Sequence, residues 1–218
     1  MMSMALNVVP APLSHQCRRV PGRAARLQAP ALKGSRAISR RSVAVSAKIG
    51  VFYSTSTGNT EEIAEWFSDE NDCEAAQDIG DIELSTLSEY DGFIIGAPTW
   101  HTGADAARSG TAWDDVLDEI AALDLSGKKA AIFGLGDSGA YGDYFCDSME
   151  ELYQTFKSAG CEIVGQTPTD GYTFTDSKSV IDGKFIGCPF DSDNEADMSE
   201  ERYAAFITTL KADGLIPA

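Results

Sequence analysis

Apolar positions in this chain fall into short continuous runs separated by stripes of helical period. Lys48-Ile49-Gly50-Val51-Phe52-Tyr53, Asp91-Gly92-Phe93-Ile94-Ile95-Gly96-Ala97 and Lys129-Ala130-Ala131-Ile132-Phe133-Gly134 are too short for helices and apolar almost throughout. That is the pattern of strands covered on both faces. Glu162-Ile163-Val164-Gly165 starts a further strand, and a weak edge strand is expected around Glu74-Ala75-Ala76. Between the runs, apolar residues recur at three- and four-residue spacing. One stripe is Ile63, Trp66 and Phe67; a second is Trp113, Val116, Leu117 and Ile120. A third is Phe145, Met149, Leu152, Tyr153 and Phe156, stopped by Gly160, and the last is Tyr203, Phe206, Ile207 and Leu210. Such alternation predicts an α/β domain, a parallel sheet with helices on both faces. Ligands of such sheets bind beyond the carboxyl ends of the strands, where strand order reverses. Three loops leave those ends, 54–60, 97–110 and 134–143, and the chemistry is expected there.

Charge divides the chain in two. Residues 1–48 carry nine Lys and Arg and no acid, among many Ala, Ser, Val and Pro. Acid-free, arginine-rich and serine-containing is the composition of an organelle transit peptide, ending near Val45-Ser46-Ala47. The segment 1–47 is therefore set apart from the fold. Residues 49–218 have 8 basic and 34 acidic residues, a formal charge of −26. Nucleic acid and anionic membrane surfaces are poor partners for such a body, and a basic protein is a good one. Strong self-repulsion favours a monomer. No stretch is long and apolar enough to span a bilayer. Past the leader, Cys73, Cys146, Cys161 and Cys188 with the single His101 make a poor zinc set, and Cys146 and Cys161 read as core residues.

The first loop reads Ser54-Thr55-Ser56-Thr57-Gly58-Asn59-Thr60 and opens a helix. Hydroxyls and backbone N–H groups at a helix N-terminus make an anion cradle. The loop has no Lys or Arg and does not fit the triphosphate pattern G-x-x-x-x-G-K-[ST], so a single terminal phosphate suits it. The same residues also suit an ordinary capped helix start. The second loop, Ala97-Pro98-Thr99-Trp100-His101-Thr102-Gly103, and the third, Gly134-Leu135-Gly136-Asp137-Ser138-Gly139-Ala140-Tyr141-Gly142-Asp143, each set one large aromatic among small residues. Two aromatics from neighbouring loops can sandwich a flat ring, although a lone loop aromatic is more often a rim residue. No nucleophile–base or paired-carboxylate pattern is visible.

At these residues the chain resembles a flavodoxin of the long-chain algal or cyanobacterial kind. The phosphate motif T-x-T-G-N-T stands at Thr55 to Thr60, and the ring loops at Ala97-Pro98-Thr99-Trp100 and at Gly136-Asp137 with Tyr141. The similarity runs from about Lys48 to Leu215. It implies a doubly wound five-stranded parallel sheet in the order 2-1-3-4-5. It also implies an insertion splitting the last strand, fitted by Asp170-Gly171-Tyr172 through Gly183-Lys184-Phe185. It implies bound flavin mononucleotide (FMN) with Ser54, Thr55, Ser56, Thr57, Asn59 and Thr60 around the phosphate. Trp100 and Tyr141 would face the isoalloxazine. Backbone groups near Thr99, Thr102 and Asp137 would meet its polar edge, Asp193 would reach the ribityl chain, and Pro98, His101, Gly103, Gly136 and Asp143 would complete the cofactor-binding set. Position 56 is Ser where relatives have Gln, and His101 stands where Asn or a small residue often follows the Trp.

The implied role is one-electron transfer from photosystem I to ferredoxin–NADP reductase in place of ferredoxin, in the chloroplast stroma, by a carrier rather than an enzyme. A flavodoxin-like NAD(P)H:quinone oxidoreductase is the enzymatic alternative, opposed by an indole over the ring. A receiver-like signalling module is the non-redox alternative, but the strand near Ile95 ends in Gly96-Ala97-Pro98 rather than in a phospho-accepting Asp.

Overall fold

The computed structural model describes residues 47–218; the expected transit peptide, except for Ala47, lies outside them. Five of the six parallel strands of the main sheet form one path: β1 (Ile49–Tyr53), β2 (Gln77–Asp78), β3 (Gly92–Pro98), β4 (Lys129–Leu135) and β5 (Glu162–Val164). Their order is β2-β1-β3-β4-β5, so the chain reverses direction across the sheet between β1 and β3. The helices are α1 (Asn59–Glu70), α2 (Trp113–Ala121), the single turn α3 (Ser138–Tyr141), α4 (Ser148–Ser158) and α5 (Ser199–Ala212).

Side-chain alternation along the strands feeds two cores. Ile49, Val51, Tyr53, Ile94, Ala131 and Phe133 point to one face and meet Ile63 and Phe67 of α1 and Phe206 and Leu210 of α5. Phe52, Phe93, Ile95, Ala130 and Ile132 point to the other and meet Trp113 and Ile120 of α2 and Met149, Leu152 and Phe156 of α4. A strand that feeds both cores has no polar face, which is why these runs read as continuously apolar. Close packing shows at Gly96, where a Cβ would fall 1.9 Å from Phe133 Cζ. The carbonyl of Gly96 takes the indole N–H of the fully buried Trp113 at 2.8 Å.

The expected edge strand at Glu74-Ala75-Ala76 forms later, at Gln77–Asp78. Both residues are polar and pair only through the backbone, Phe52 with Gln77 and Tyr53 with Asp78, so no apolar signal marks them. Phe145 does not start α4; it sits in the preceding turn, and the helix begins at Ser148.

The last strand is split. β5 pairs with Lys129–Ala131 of β4, and a later strand, β9 (Cys188–Phe190), pairs parallel with Phe133–Leu135. The segment between them forms a small antiparallel sheet of β6 (Thr167–Pro168), β7 (Val180–Ile181) and β8 (Lys184–Phe185) in the order β6-β8-β7. Cys146, Cys161 and Cys188 are buried and free, and burial pushes the Cys161 thiol up to about 11 and Cys188 up to about 12.

Candidate functional site

A cleft of about 330 Å³ opens at the carboxyl ends of β1, β3, β4 and β9. That is the lower part of the range for small-molecule sites. One end is formed by Thr57, Asn59 and Thr60 at the start of α1. Gly58 precedes the helix in the left-handed conformation (φ 97°), and no side chain caps the helix. Thr55 Oγ1 instead accepts the Gly58 N–H at 2.9 Å, which folds the loop back on itself. The first amides of α1 are therefore left without a side-chain partner, beside hydroxyls and an Asn, with no basic side chain among the lining residues.

The walls come from the next two loops. Pro98, Thr99 and Trp100 end β3; Leu135, Gly136, Asp137 and Tyr141 end β4. Backbone bonds zip these ends together, Thr99 N–H to Leu135 O at 3.0 Å and Gly136 N–H to Phe190 O at 3.1 Å. Trp100 and Tyr141 are each 51% exposed, large aromatics held at a rim instead of in the core. Ser192 and Asp193, after β9, close the remaining side.

Asp191 organises that side. Fully buried, it accepts the N–H of Ser138 at 2.9 Å, the Ser138 hydroxyl at 2.5 Å, and the N–H groups of Asp193 and Asn194 at 3.1 and 2.9 Å. Burial pushes its carboxyl up, but the bonds from Ser138 and Asn194 outweigh burial and hold it below the ordinary carboxylate value. The Asn194 amide also donates to Asp137 Oδ1 at 2.8 Å, so the loop after β9 is tied to the loop after β4.

The other expected site residues sit around the cleft without lining it. Ser54 is buried, its hydroxyl donating to Asp78 at 3.3 Å. Ser56 is exposed beside the helix start. His101 is exposed, with Nδ1 2.7 Å from the Ala107 carbonyl oxygen and 3.9 Å from an Asp114 oxygen. Thr102 is half-buried; Gly103 is exposed, close to the Tyr144 ring. Asp143 lies exposed in the turn after α3. Leu135 and Ser192 line the cleft and were missed, the first because it reads as the end of a buried strand, the second because nothing local marks it. Among the described residues, no group of three or more His, Cys, Asp or Glu is placed to hold a metal ion, and no helix is long and apolar enough to cross a membrane.

The family model described as "Flavodoxin" matches residues 51–206. The chain belongs to the flavodoxin family. The flavodoxin of Nostoc is 38% identical over 171 residues, covering 78% of this chain and 98% of that one. The flavodoxin of Synechococcus elongatus is 38% identical over 170 residues, covering 77% and 98%. Among solved structures, that of Fusobacterium nucleatum flavodoxin bound to flavin mononucleotide superposes with a TM-score of 0.68 at 29% identity, over 77% of this chain and 98% of that one. The expected insertion is present between β5 and β9, both of which pair with β4.

Proposed function

We propose that this chain is an FMN-binding one-electron carrier of low potential that takes electrons from photosystem I and passes them to ferredoxin–NADP reductase in place of ferredoxin. One observation carries the reading. Two half-exposed aromatics, Trp100 and Tyr141, flank a cleft whose far end offers uncapped helix amides and hydroxyls without a basic side chain. That donor set fits FMN, which has one monophosphate and one flat ring system. Bound FMN supplies reversible one-electron oxidation and reduction.

Every other part of the task falls to the chain's own residues. Thr57, Asn59 and Thr60 hold the phosphate, while Ser54, Thr55 and Ser56 shape the loop that aims the amides. Trp100 and Tyr141 cover the ring and keep water from it. Backbone groups near Thr99, Thr102 and Asp137 would meet its polar edge, with Pro98, Gly103 and Gly136 beside them and His101 and Asp143 outside. Asp193 faces the sugar-alcohol chain. The formal charge of −26 raises the free energy of adding an electron and draws in basic redox partners. The chain works as a monomer, and residues 1–47 direct it to the chloroplast stroma. In this role it is a carrier, not an enzyme.

The test uses purified residues 48–218. A yellow protein releasing one FMN per chain, photoreduced by photosystem I particles and oxidised by ferredoxin–NADP reductase, is the expected result. A colourless chain that takes up no FMN overturns the proposal. NADPH-dependent quinone turnover by the chain alone replaces it with the oxidoreductase reading.

A further inference from the structure

Residues 49–218 contain eight cations, and two of them, Arg108 and Arg202, are buried. Arg108 lies near the end of the loop that carries Trp100. Its Nη2 donates to Glu150 Oε2 at 2.6 Å and its Nη1 to the Asp147 carbonyl at 2.9 Å. Nε lies 3.6 Å from Glu151 Oε2, an ion-pair contact without a hydrogen bond. The backbone N–H of Arg108 donates to the same Glu151 carboxylate at 2.8 Å. Both the main chain and the side chain of one residue are thus fixed to the start of α4.

What Arg108 fixes is the ground under Trp100. Its carbonyl accepts the N–H of His101, the residue after Trp100, at 3.1 Å. Ala107 is held left-handed (φ 56°), which a residue with a Cβ keeps only where neighbours impose it, here Arg108 and the His101 ring. Two residues after Arg108, Gly110 packs against the base of the Trp100 side chain: a Cβ there would lie 2.7 Å from the Trp100 Cβ and 3.3 Å from His101 Nε2. Asp114 secures the far end through the N–H groups of Ser109 and Gly110, at 3.2 and 2.8 Å. The strap 108–110 is thereby pinned at both ends, with the Trp100 Cβ packed against it.

The same anchor reaches the other ring loop. Asp147, whose carbonyl takes Arg108, accepts the N–H of Lys178 on its side chain at 2.7 Å, and Lys178 Nζ returns to the Ala104 carbonyl of the Trp100 loop at 3.2 Å. Two residues before Lys178, Asp176 bonds to Gly142, adjacent to Tyr141, its N–H donating to the Gly142 carbonyl at 3.0 Å.

We propose that Arg108 is a positioning residue for the flavin site. By clamping the strap behind Trp100 to the segment that follows Tyr141, it fixes the two aromatic walls relative to each other. The inserted segment shares in this through Lys178. The inference rests on the FMN reading above and assigns the site a support that lies outside the cleft.

Arg108→Lys tests it, because lysine keeps the charge and loses the planar fork. The dissociation constant for FMN is expected to rise about tenfold, as when one molecule in ten holds the loop in place. The midpoint potential should move, and the His101 amide of the apo-protein should exchange faster with solvent. A double cycle separates positioning from general weakening: added to Trp100→Ala, Arg108→Lys should change the constant by no more than about twofold. An FMN affinity within about twofold of the parent, or a full tenfold loss repeated on the Trp100→Ala background, overturns the proposal. Glu150→Gln, which weakens the clamp without emptying it, carries the same expectations if the lysine variant fails to fold. A parent chain that takes up no FMN overturns the FMN reading instead, and the His101 exchange rate then judges the clamp alone.

Discussion

Replacing Asp191 by Asn measures how much of the cleft hangs on one buried carboxylate. In the amide, Oδ1 keeps the N–H groups of Asp193 and Asn194. The NH2 group then faces the Ser138 N–H and hydroxyl, two donors that had bonded to Oδ2. Each bond to a charged acceptor contributes about 1.5–3 kcal/mol, and an amide is easier to bury than a carboxylate, so the net loss at pH 7 is on the order of 2–4 kcal/mol. The pH dependence has a definite sign. A carboxyl held below its ordinary value contributes stability fully above about pH 4, and loses it as pH falls through the lower folded-state value. Urea unfolding of the apo-protein should therefore separate parent and variant at pH 7 and bring them together as the medium is made more acid than about pH 4. FMN affinity should fall in parallel at pH 7, because the Ser138 ties no longer set the wall at Asp137. Equal midpoints at pH 7, or a gap that stays constant down to pH 3, refute the reasoning.

Three further perturbations have clear expectations. Gly96→Ala drives a methyl into the Phe133 ring and should destabilise by about 1–3 kcal/mol or more, read as a lowered Tm. Gly58→Ala meets open space, so its loss of about 1 kcal/mol comes from the left-handed backbone alone, and weaker FMN uptake should accompany it in a titration. Asp137→Asn with Asp193→Asn should raise the potential of the second electron step. A carboxylate ~10 Å from the added charge at an effective dielectric of ~20 contributes on the order of 1.7 kcal/mol, about 70 mV, and redox titration at low salt checks it.

The sheet was legible because its strands are apolar on both sides. Val51, Ile94 and Phe133 serve one core while Phe52, Ile95 and Ile132 serve the other, so composition alone marks these strands. β2 lies two to three residues later than expected because Gln77 and Asp78 are polar and pair with β1 through the backbone, which leaves no apolar signal. Ring loops could be placed because topology puts function at strand ends, whatever the side chains. Side-chain direction within them was not legible. Ser54 turns inward to Asp78 and Thr55 to Gly58, while Leu135, apparently core, reaches the cleft. Least visible was Arg108, an isolated cation in a polar loop whose meaning depends on carboxylates about forty residues away.

The divided edge strand bears on how the molecule comes together. β1, β3, β4 and β5 join through successive crossovers, but β9 docks only after the excursion from Gly165 to Gly187 has closed. A loop of roughly 23 residues charges that step about 2.8 kcal/mol in chain entropy, beyond a constant. Ser192 and Asp193, which follow β9, reach the cleft only when that closure is made. One wall of the crevice therefore depends on chain that returns to the sheet after the insertion, and a change that blocks that return opens the crevice while leaving β1, β3, β4 and β5 paired.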